Sequence, residues 1–93
     1  MGEMSTEALV EEKERLSAIV AAANPRANAG QVRMYVDSFI DYRTAQENID
    51  ANGTIVFHPR TGAPIANPYL PIRAAAMAAM LKLGLRADAL WTP

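Results

Sequence analysis

The sequence contains no cysteine, and it has a single histidine and a single tryptophan among 93 residues. Without cysteine, the chain has no disulfide, no thiolate nucleophile and no cysteine-ligated zinc site. The longest apolar run spans residues 74–81, far short of the ~20 residues that a membrane-spanning helix needs. We therefore expect a protein that does not enter a membrane and that binds no metal or other cofactor.

The sequence also lacks the motifs of common enzyme active sites. Its glycines do not form a phosphate-binding loop, and no zinc-protease or serine-hydrolase motif occurs. His58 has no nucleophile or carboxylate at a local spacing, so a surface turn is its simpler interpretation. Asp37 and Asp41 are four apart and could share a cation, but a solvated helix face with Arg33 paired to Asp37 is the simpler interpretation. We expect no catalytic residue, no metal ligand and no enzymatic activity.

Charge is unevenly distributed, although the formal net charge is only −1. Five glutamates occur in the first 15 residues, against one lysine and one arginine. From residue 16 onward, seven basic residues occur with five acidic ones. This is not the strongly basic profile of a free-standing nucleic-acid-binding domain. A contact with DNA would therefore use a local or repeated basic patch.

Length and hydrophobic periodicity predict a single, mainly α-helical domain over residues 1–93. The first helix is expected over residues 5–23, because an apolar stripe follows a capping serine or threonine and an Asn-Pro pair ends it. Glu11 and Arg15 are four apart on this acidic helix and can form an ion pair.

A second helix is expected over residues 31–51, because apolar residues recur three and four apart on one side. Gly53 is expected to close this helix in the left-handed conformation that glycine adopts readily. The residues of the predicted buried side are Val32, Tyr35, Val36, Phe39, Tyr42, Gln46 and Ile49.

Residues 54–66 have the pattern of a short β-hairpin. The first strand is β-branched and aromatic, a His-Pro-Arg-Thr-Gly turn follows, and a proline confines the returning strand to an edge. A two-stranded hairpin is marginal in water by itself. It should therefore lie on the helices or pair with the hairpin of a neighbouring subunit.

A third helix is expected over residues 68–83, with Asn67 as its N-cap and Gly84 at its end. This helix is apolar nearly all round, broken only by Arg73 and Lys82. A helix of this kind should be buried all round, and one partner helix with a small hairpin cannot cover it. We therefore expect an oligomer. The residues expected at the subunit interface are Ile55, Phe57, Tyr69, Ile72, Met77, Met80 and Leu83.

A short final turn is expected over residues 86–91. Two roles remain open for Leu90 and Trp91 within it. They could form a docking anchor for a partner, since tryptophan is common at binding hot spots. They could equally pack over the third helix of their own chain.

Arginines are the candidate contacts to a charged partner. Arg60 at the predicted hairpin tip is the best single candidate, because loop tips are exposed and a guanidinium can bind phosphate or carboxylate with two hydrogen bonds. Simple solubility at a turn is the alternative. Arg26, Arg33, Arg43 and Arg73 could form a phosphate-facing stripe if the fold aligns them, although each alone could be solvated or salt-bridged.

One ordered set of features extends over about residues 31–90. A helix with spaced aromatic residues ends in Asn-Gly, an extended segment follows, and an Asn-Pro pair precedes an alanine-rich helix that ends in Leu-Gly-Leu. This order resembles the phage terminase small subunits of the P27-like group. The motif residues in this chain are Tyr35, Phe39, Tyr42, Asn52, Gly53, Asn67, Pro68, Leu83, Gly84 and Leu85.

The resemblance implies a mainly helical, non-enzymatic component of a viral genome-packaging motor in the host-cell cytoplasm. Such subunits assemble into rings, recognise double-stranded viral DNA and regulate the large terminase subunit, which holds the ATPase and nuclease. A ring would repeat a modest basic patch many times. The alternative is a small helical adaptor that binds another protein without nucleic-acid contact, which the acidic first helix and the near-neutral charge would suit.

Overall fold

The computed structural model describes residues 5–92; the predicted domain's residues 1–4 and 93 lie outside the described residues. Helices dominate this part of the chain, and a short antiparallel β-hairpin joins the helices Ala29–Asn52 and Tyr69–Leu83, which confirms the predicted fold class. The elements in order are α1 (Thr6–Ala23), α2 (Ala29–Asn52), β1 (Ile55–Phe57), β2 (Pro64–Ala66), α3 (Tyr69–Leu83) and α4 (Asp88–Trp91). Within residues 5–92, no helix is both long enough and apolar enough to cross a bilayer.

The start of α2 lies two residues earlier than its periodicity suggested, because a capping box forms there. The Asn28 side chain accepts a hydrogen bond from the backbone of Gln31 at 2.8 Å, and the Gln31 side chain accepts one from the backbone of Asn28 at 3.0 Å. These reciprocal bonds satisfy two backbone groups that a helix start leaves unpaired. The helix therefore begins at Ala29.

The end of α2 differs from its predicted geometry. Gly53 has φ 84° and ψ 179°, so its backbone is extended at positive φ and not in the left-handed helical region. Glycine adopts this region at little cost because it has no Cβ. The chain thus leaves the helix directly into β1, and left-handed capping occurs instead at Gly84, which ends α3.

Helix α2 lies between α1 and α3. Asp37 and Arg43 of α2 bind side chains of α1, whereas Gln46 of α2 binds Arg73 of α3. At 100° per residue, Asp37 lies about 180° from Gln46 around α2 and Arg43 lies about 60° from it, so α1 and α3 pack on different sides of the helix. The core forms along both sides and contains Leu16, Val20, Val32, Tyr35, Val36, Phe39, Ile40, Met80 and Ala87.

The β-hairpin extends the molecule beyond the carboxyl end of α2. Its strands pair in antiparallel register, with Val56 opposite Ile65. The longest dimension of the molecule is 50 Å, whereas the 24 residues of α2 span about 36 Å. The hairpin therefore projects from one end of the helices and leaves most of its side chains exposed.

Asn67 is the hub that joins α2, the hairpin and α3. Its side chain is 1% exposed; the amide nitrogen donates to the Gly53 carbonyl at 2.9 Å and to Asn48 Oδ1 at 3.0 Å. Its amide oxygen accepts from the backbone of Tyr69 at 2.9 Å. This last bond gives Asn67 its predicted contact with the start of α3, although the helix begins one residue later than predicted, at Tyr69, with Pro68 in the N-cap position. The other two bonds were not evident from local sequence.

Asn24 forms a second connection, between the end of α1 and the segment after α3. Its amide nitrogen donates to the carbonyls of Val20 at 2.8 Å and of Arg86 at 2.6 Å, and its amide oxygen accepts from the backbone of Arg86 at 2.8 Å. The first helix is therefore tied to its own chain through the C-terminal segment as well as through the core.

Trp91 of α4 packs against α2. Its ring centroid lies 4.8 Å from that of Phe39 and 5.3 Å from that of Tyr42, both in edge-to-face geometry. Its indole nitrogen donates to the hydroxyl of Tyr35 at 3.1 Å. The contact inside the chain is thus made mainly with the second helix and not over the third, and 47% of the tryptophan remains exposed.

Candidate functional site

The outer face of α3 is apolar and has no partner in the described chain. Only Ala76 and Met80 of this helix are buried, because α2 covers just one side of it. Four exposed residues on the other side follow the spacing of a helical stripe. We call them the α3 outer face: Ala74, Met77, Ala78 and Leu81. Leu81 is 78% exposed. Exposure of this large apolar side chain does not stabilise a single chain.

The hairpin adds a second exposed apolar patch. Ile55 and Phe57 point to the same side of β1, because side chains two apart in a strand share a face, and they are 57% and 70% exposed. The backbone of Asn67 donates to the Thr54 carbonyl at 2.8 Å, so this patch begins next to the start of α3.

The structure divides the residues predicted for a subunit interface into three groups by their exposure. Met80 is 7% exposed and belongs to the core of its own chain, because it faces α2; it is not available to a partner. Tyr69 and Leu83 are half-buried. The exposed members are Ile55, Phe57, Ile72 and Met77.

The four arginines that were expected to align as a stripe do not form one free row, and Arg60, the separate candidate, lies apart from them on the hairpin. Arg43 donates to Glu12 at 2.9 Å, and its guanidinium carbon lies 5.7 Å from the Phe39 ring centroid. Arg73 donates to Gln46 at 3.0 Å. Arg60 lies on the hairpin, at the opposite end of α2 from Arg26. Two of the five are therefore engaged within the chain, while Arg26 and Arg33 line neighbouring grooves and Arg60 lies at the other end of α2.

One end of the molecule nevertheless collects basic side chains. Arg26 and Arg86 line the same groove, of about 430 Å³, between the α1–α2 connection and the segment after α3. Arg33 lines a neighbouring groove that shares Ala27 with it. Within residues 5–92, none of these three guanidinium groups forms an ion pair. Sequence reasoning missed Arg86, because only the Asn24 contact, 62 residues away in the chain, places it there.

Glu12 is the centre of the ion pairs between α1 and α2. Its carboxylate accepts from Arg43 at 2.9 Å and from Arg15 at 3.0 Å. The hydrogen bond from Arg43, then that from Arg15, holds the pKa of Glu12 below its ordinary value, and burial opposes this shift. Arg15 thus pairs with Glu12 and not with Glu11 as predicted, and Asp37 pairs with Lys13 at 2.9 Å and not with Arg33.

We expect Glu12 to make stability depend on pH in the acid range. Because the pKa is lowered in the folded state, its contribution is complete above the ordinary glutamate pKa and disappears as the pH falls through the lowered value. The contribution should be about 1 kcal/mol or less for these partly exposed pairs. Thermal unfolding between pH 7 and pH 3 should show Glu12→Gln less stable than wild type at pH 7, with the difference shrinking as the pH falls. Glu11→Gln is the control, and equal losses for the two variants at pH 7 would contradict the assignment.

Comparison with known proteins gives one result. The family model described as "Phage terminase, small subunit" matches residues 11–86, which include most of α1 and all of α2, the hairpin and α3. No curated protein and no solved structure matches the chain. The assignment to the P27-like group within the family stays a prediction. Because the match covers well over half of its 93 residues, the chain belongs to the phage terminase small subunit family.

Proposed function

We propose that this protein is a non-catalytic ring subunit of a phage genome-packaging motor. It recognises double-stranded viral DNA and regulates the large terminase subunit in the host-cell cytoplasm. Family membership supports the role in packaging. The unpartnered apolar side chains of α3 and the hairpin support assembly, because burying them between copies is favourable by about 25 cal/mol for each Å² removed from water.

The observation that carries DNA recognition is the basic end formed by Arg26 and Arg86. Both side chains are exposed, and Asn24 fixes the backbone that carries Arg86. A guanidinium is a planar, pre-organised group, so less side-chain freedom is lost for each hydrogen bond that it makes to phosphate. A ring would present one such pair from every subunit, which multiplies the contacts to a single duplex.

We expect Arg26→Ala and Arg86→Ala each to weaken the binding of duplex DNA and to reduce its dependence on salt. Each phosphate contact to B-DNA contributes about 0.9 to the slope of log affinity against log salt concentration. The double variant should therefore lower the slope by roughly 2 for each subunit that touches the DNA. Fluorescence anisotropy with a labelled duplex at several salt concentrations measures this slope.

Arg15→Ala is the matched control, because it removes an equal charge from α1 away from the basic end and should leave the slope unchanged. Arg60→Ala tests the hairpin tip in the same assay. A wild-type protein that does not bind DNA at low salt would contradict the proposal. That result would favour the adaptor alternative, in which the acidic surface of α1 contacts another protein.

A further inference from the structure

We infer that copies of this chain associate head to tail, with the α3 outer face and the hairpin of one copy on the exposed face of α1 in the next. This inference rests on the proposed ring and names the surfaces that would build it. The partner is a second copy of the same chain, and its α1 supplies an acidic surface with one apolar side chain at its centre.

The receiving surface is a stripe on α1 with the same spacing as the α3 outer face. We call it the α1 acidic face: Glu7, Val10, Glu11 and Glu14, all exposed. Val10 is 49% exposed among the three glutamates, and the four residues line one shallow depression. Within residues 5–92, none of these glutamates takes part in an ion pair.

Charge favours this pairing of surfaces. No aspartate or glutamate occurs from residue 51 to residue 87, which includes the whole hairpin and α3, whereas four basic residues do. They are Arg60, Arg73, Lys82 and Arg86. In contrast, residues 1–50 contain nine acidic and five basic residues. Of these, Arg60 on the hairpin and Lys82 next to Leu81 are exposed. A contact with the α1 acidic face brings them towards opposite charge, whereas a contact between two uncharged α3 outer faces does not.

Position within the fold makes this a contact between copies. α1 and α3 pack on different sides of α2, so the two stripes of one chain lie on separate surfaces. An interface that joins different surfaces of identical chains is heterologous, and repetition of it gives a ring when the rotation closes.

The two surfaces also lie at the same height along the molecule. Glu12 meets Arg43, and Arg73 meets Gln46, only three residues further along α2. The first turns of α1, with Glu7 and Glu11, are therefore level with the first turns of α3. A neighbour needs no displacement along the helix axes, which favours a closed ring over an open helical filament.

Two complementary variants test the inference. Phe57→Ser/Leu81→Ser damages the hairpin and the α3 outer face, and Glu7→Lys/Glu11→Lys reverses charge on the α1 acidic face. All four positions are exposed, so each variant should keep the helical circular dichroism of wild type. We expect wild type to form an assembly larger than a dimer. Each variant alone should self-associate at least about 100-fold more weakly than wild type.

An equimolar mixture of the two variants is the decisive sample. Each chain keeps one intact surface, so the mixture should give a one-to-one dimer and no larger species in native mass spectrometry. Met34→Ser is the matched control, because Met34 is a 59% exposed side chain on α2 outside both surfaces, and it should assemble as wild type does. Monomers only in the mixture would overturn the inference.

The remaining outcomes separate this inference from the proposed function. If either double variant alone assembles as wild type does, the head-to-tail contact is wrong while the ring survives. An α3-to-α3 contact would leave Glu7→Lys/Glu11→Lys assembled, and an α1-to-α1 contact would leave Phe57→Ser/Leu81→Ser assembled. If wild type itself is monomeric at tens of micromolar, with and without duplex DNA, the proposed ring fails together with the inference.

Discussion

Asn67→Ala should lower the free energy of unfolding by about 2–4 kcal/mol, a large loss for the removal of one polar side chain. The change removes three side-chain hydrogen bonds from a residue that is 1% exposed. It also leaves the Gly53 carbonyl and the Tyr69 backbone amide without their partner, at about 1–3 kcal/mol for each group that water cannot reach. Urea denaturation followed by circular dichroism measures the loss.

Asn67→Asp separates the donor from the acceptor role of this side chain. The aspartate can still accept from Tyr69, but its ionised carboxylate cannot donate to the Gly53 carbonyl. We expect a loss at least as large as that of Asn67→Ala at pH 7, and a smaller difference from wild type at pH 4, where a protonated carboxyl can donate again. Asn24→Ala is the comparison at the other connection, where partial exposure should limit the loss to about 1 kcal/mol. If the Asn67→Ala and Asn24→Ala variants proved equally stable, the burial of Asn67 would not increase the cost of losing its hydrogen bonds.

Trp91→Ala should destabilise the protein by about 2 kcal/mol. Truncation of a buried aromatic residue to alanine costs about 3–5 kcal/mol, and the 47% exposure of Trp91 reduces this value. The two edge-to-face contacts with Phe39 and Tyr42 contribute to the loss. For a domain of this size, the midpoint of thermal unfolding should fall by about 8–16 °C.

Two variants separate packing from hydrogen bonding at this position. Trp91→Phe keeps an aromatic ring against Phe39 but removes the indole donor to Tyr35, and we expect a loss of about 1 kcal/mol. Tyr35→Phe removes the acceptor and should give a similar or smaller loss, because the exposed indole can donate to water. If Trp91→Ala proved neutral, α4 would contribute nothing to stability, and Trp91 would be better explained as a contact for a partner.

Features that depend on neighbouring residues in sequence could be predicted well. The apolar periodicity gave both long helices, and the clustering of β-branched residues, proline and glycine gave the hairpin. Asn67 was predicted as a cap because a cap acts on the next few residues. The start of α2 was placed two residues late, because the predicted break included Asn28, whose capping box with Gln31 extends the helix.

Contacts between distant residues could not be predicted in the same way. Spacing placed Glu11 four residues from Arg15, yet Glu12 forms the pair because Arg43 of α2 binds the same carboxylate. For the same reason the arginines do not form the predicted stripe, since Arg43 and Arg73 bind side chains of neighbouring helices. Arg86 lies beside Arg26 because Asn24 binds its backbone. Spacing along one helix reports which residues share a face, but the packing of a second helix decides which of them meet a partner.

The connection made by Asn24 has a consequence for how this chain opens. Its hydrogen bonds link residue 24 to residue 86. A displacement of either segment therefore breaks hydrogen bonds of both. Fraying of α1 weakens the anchoring of the C-terminal segment, and fraying of that segment releases the end of α1. The first helix and α4 therefore belong to a single cooperative unit of local unfolding, although α1 is the first element along the chain and α4 is the last.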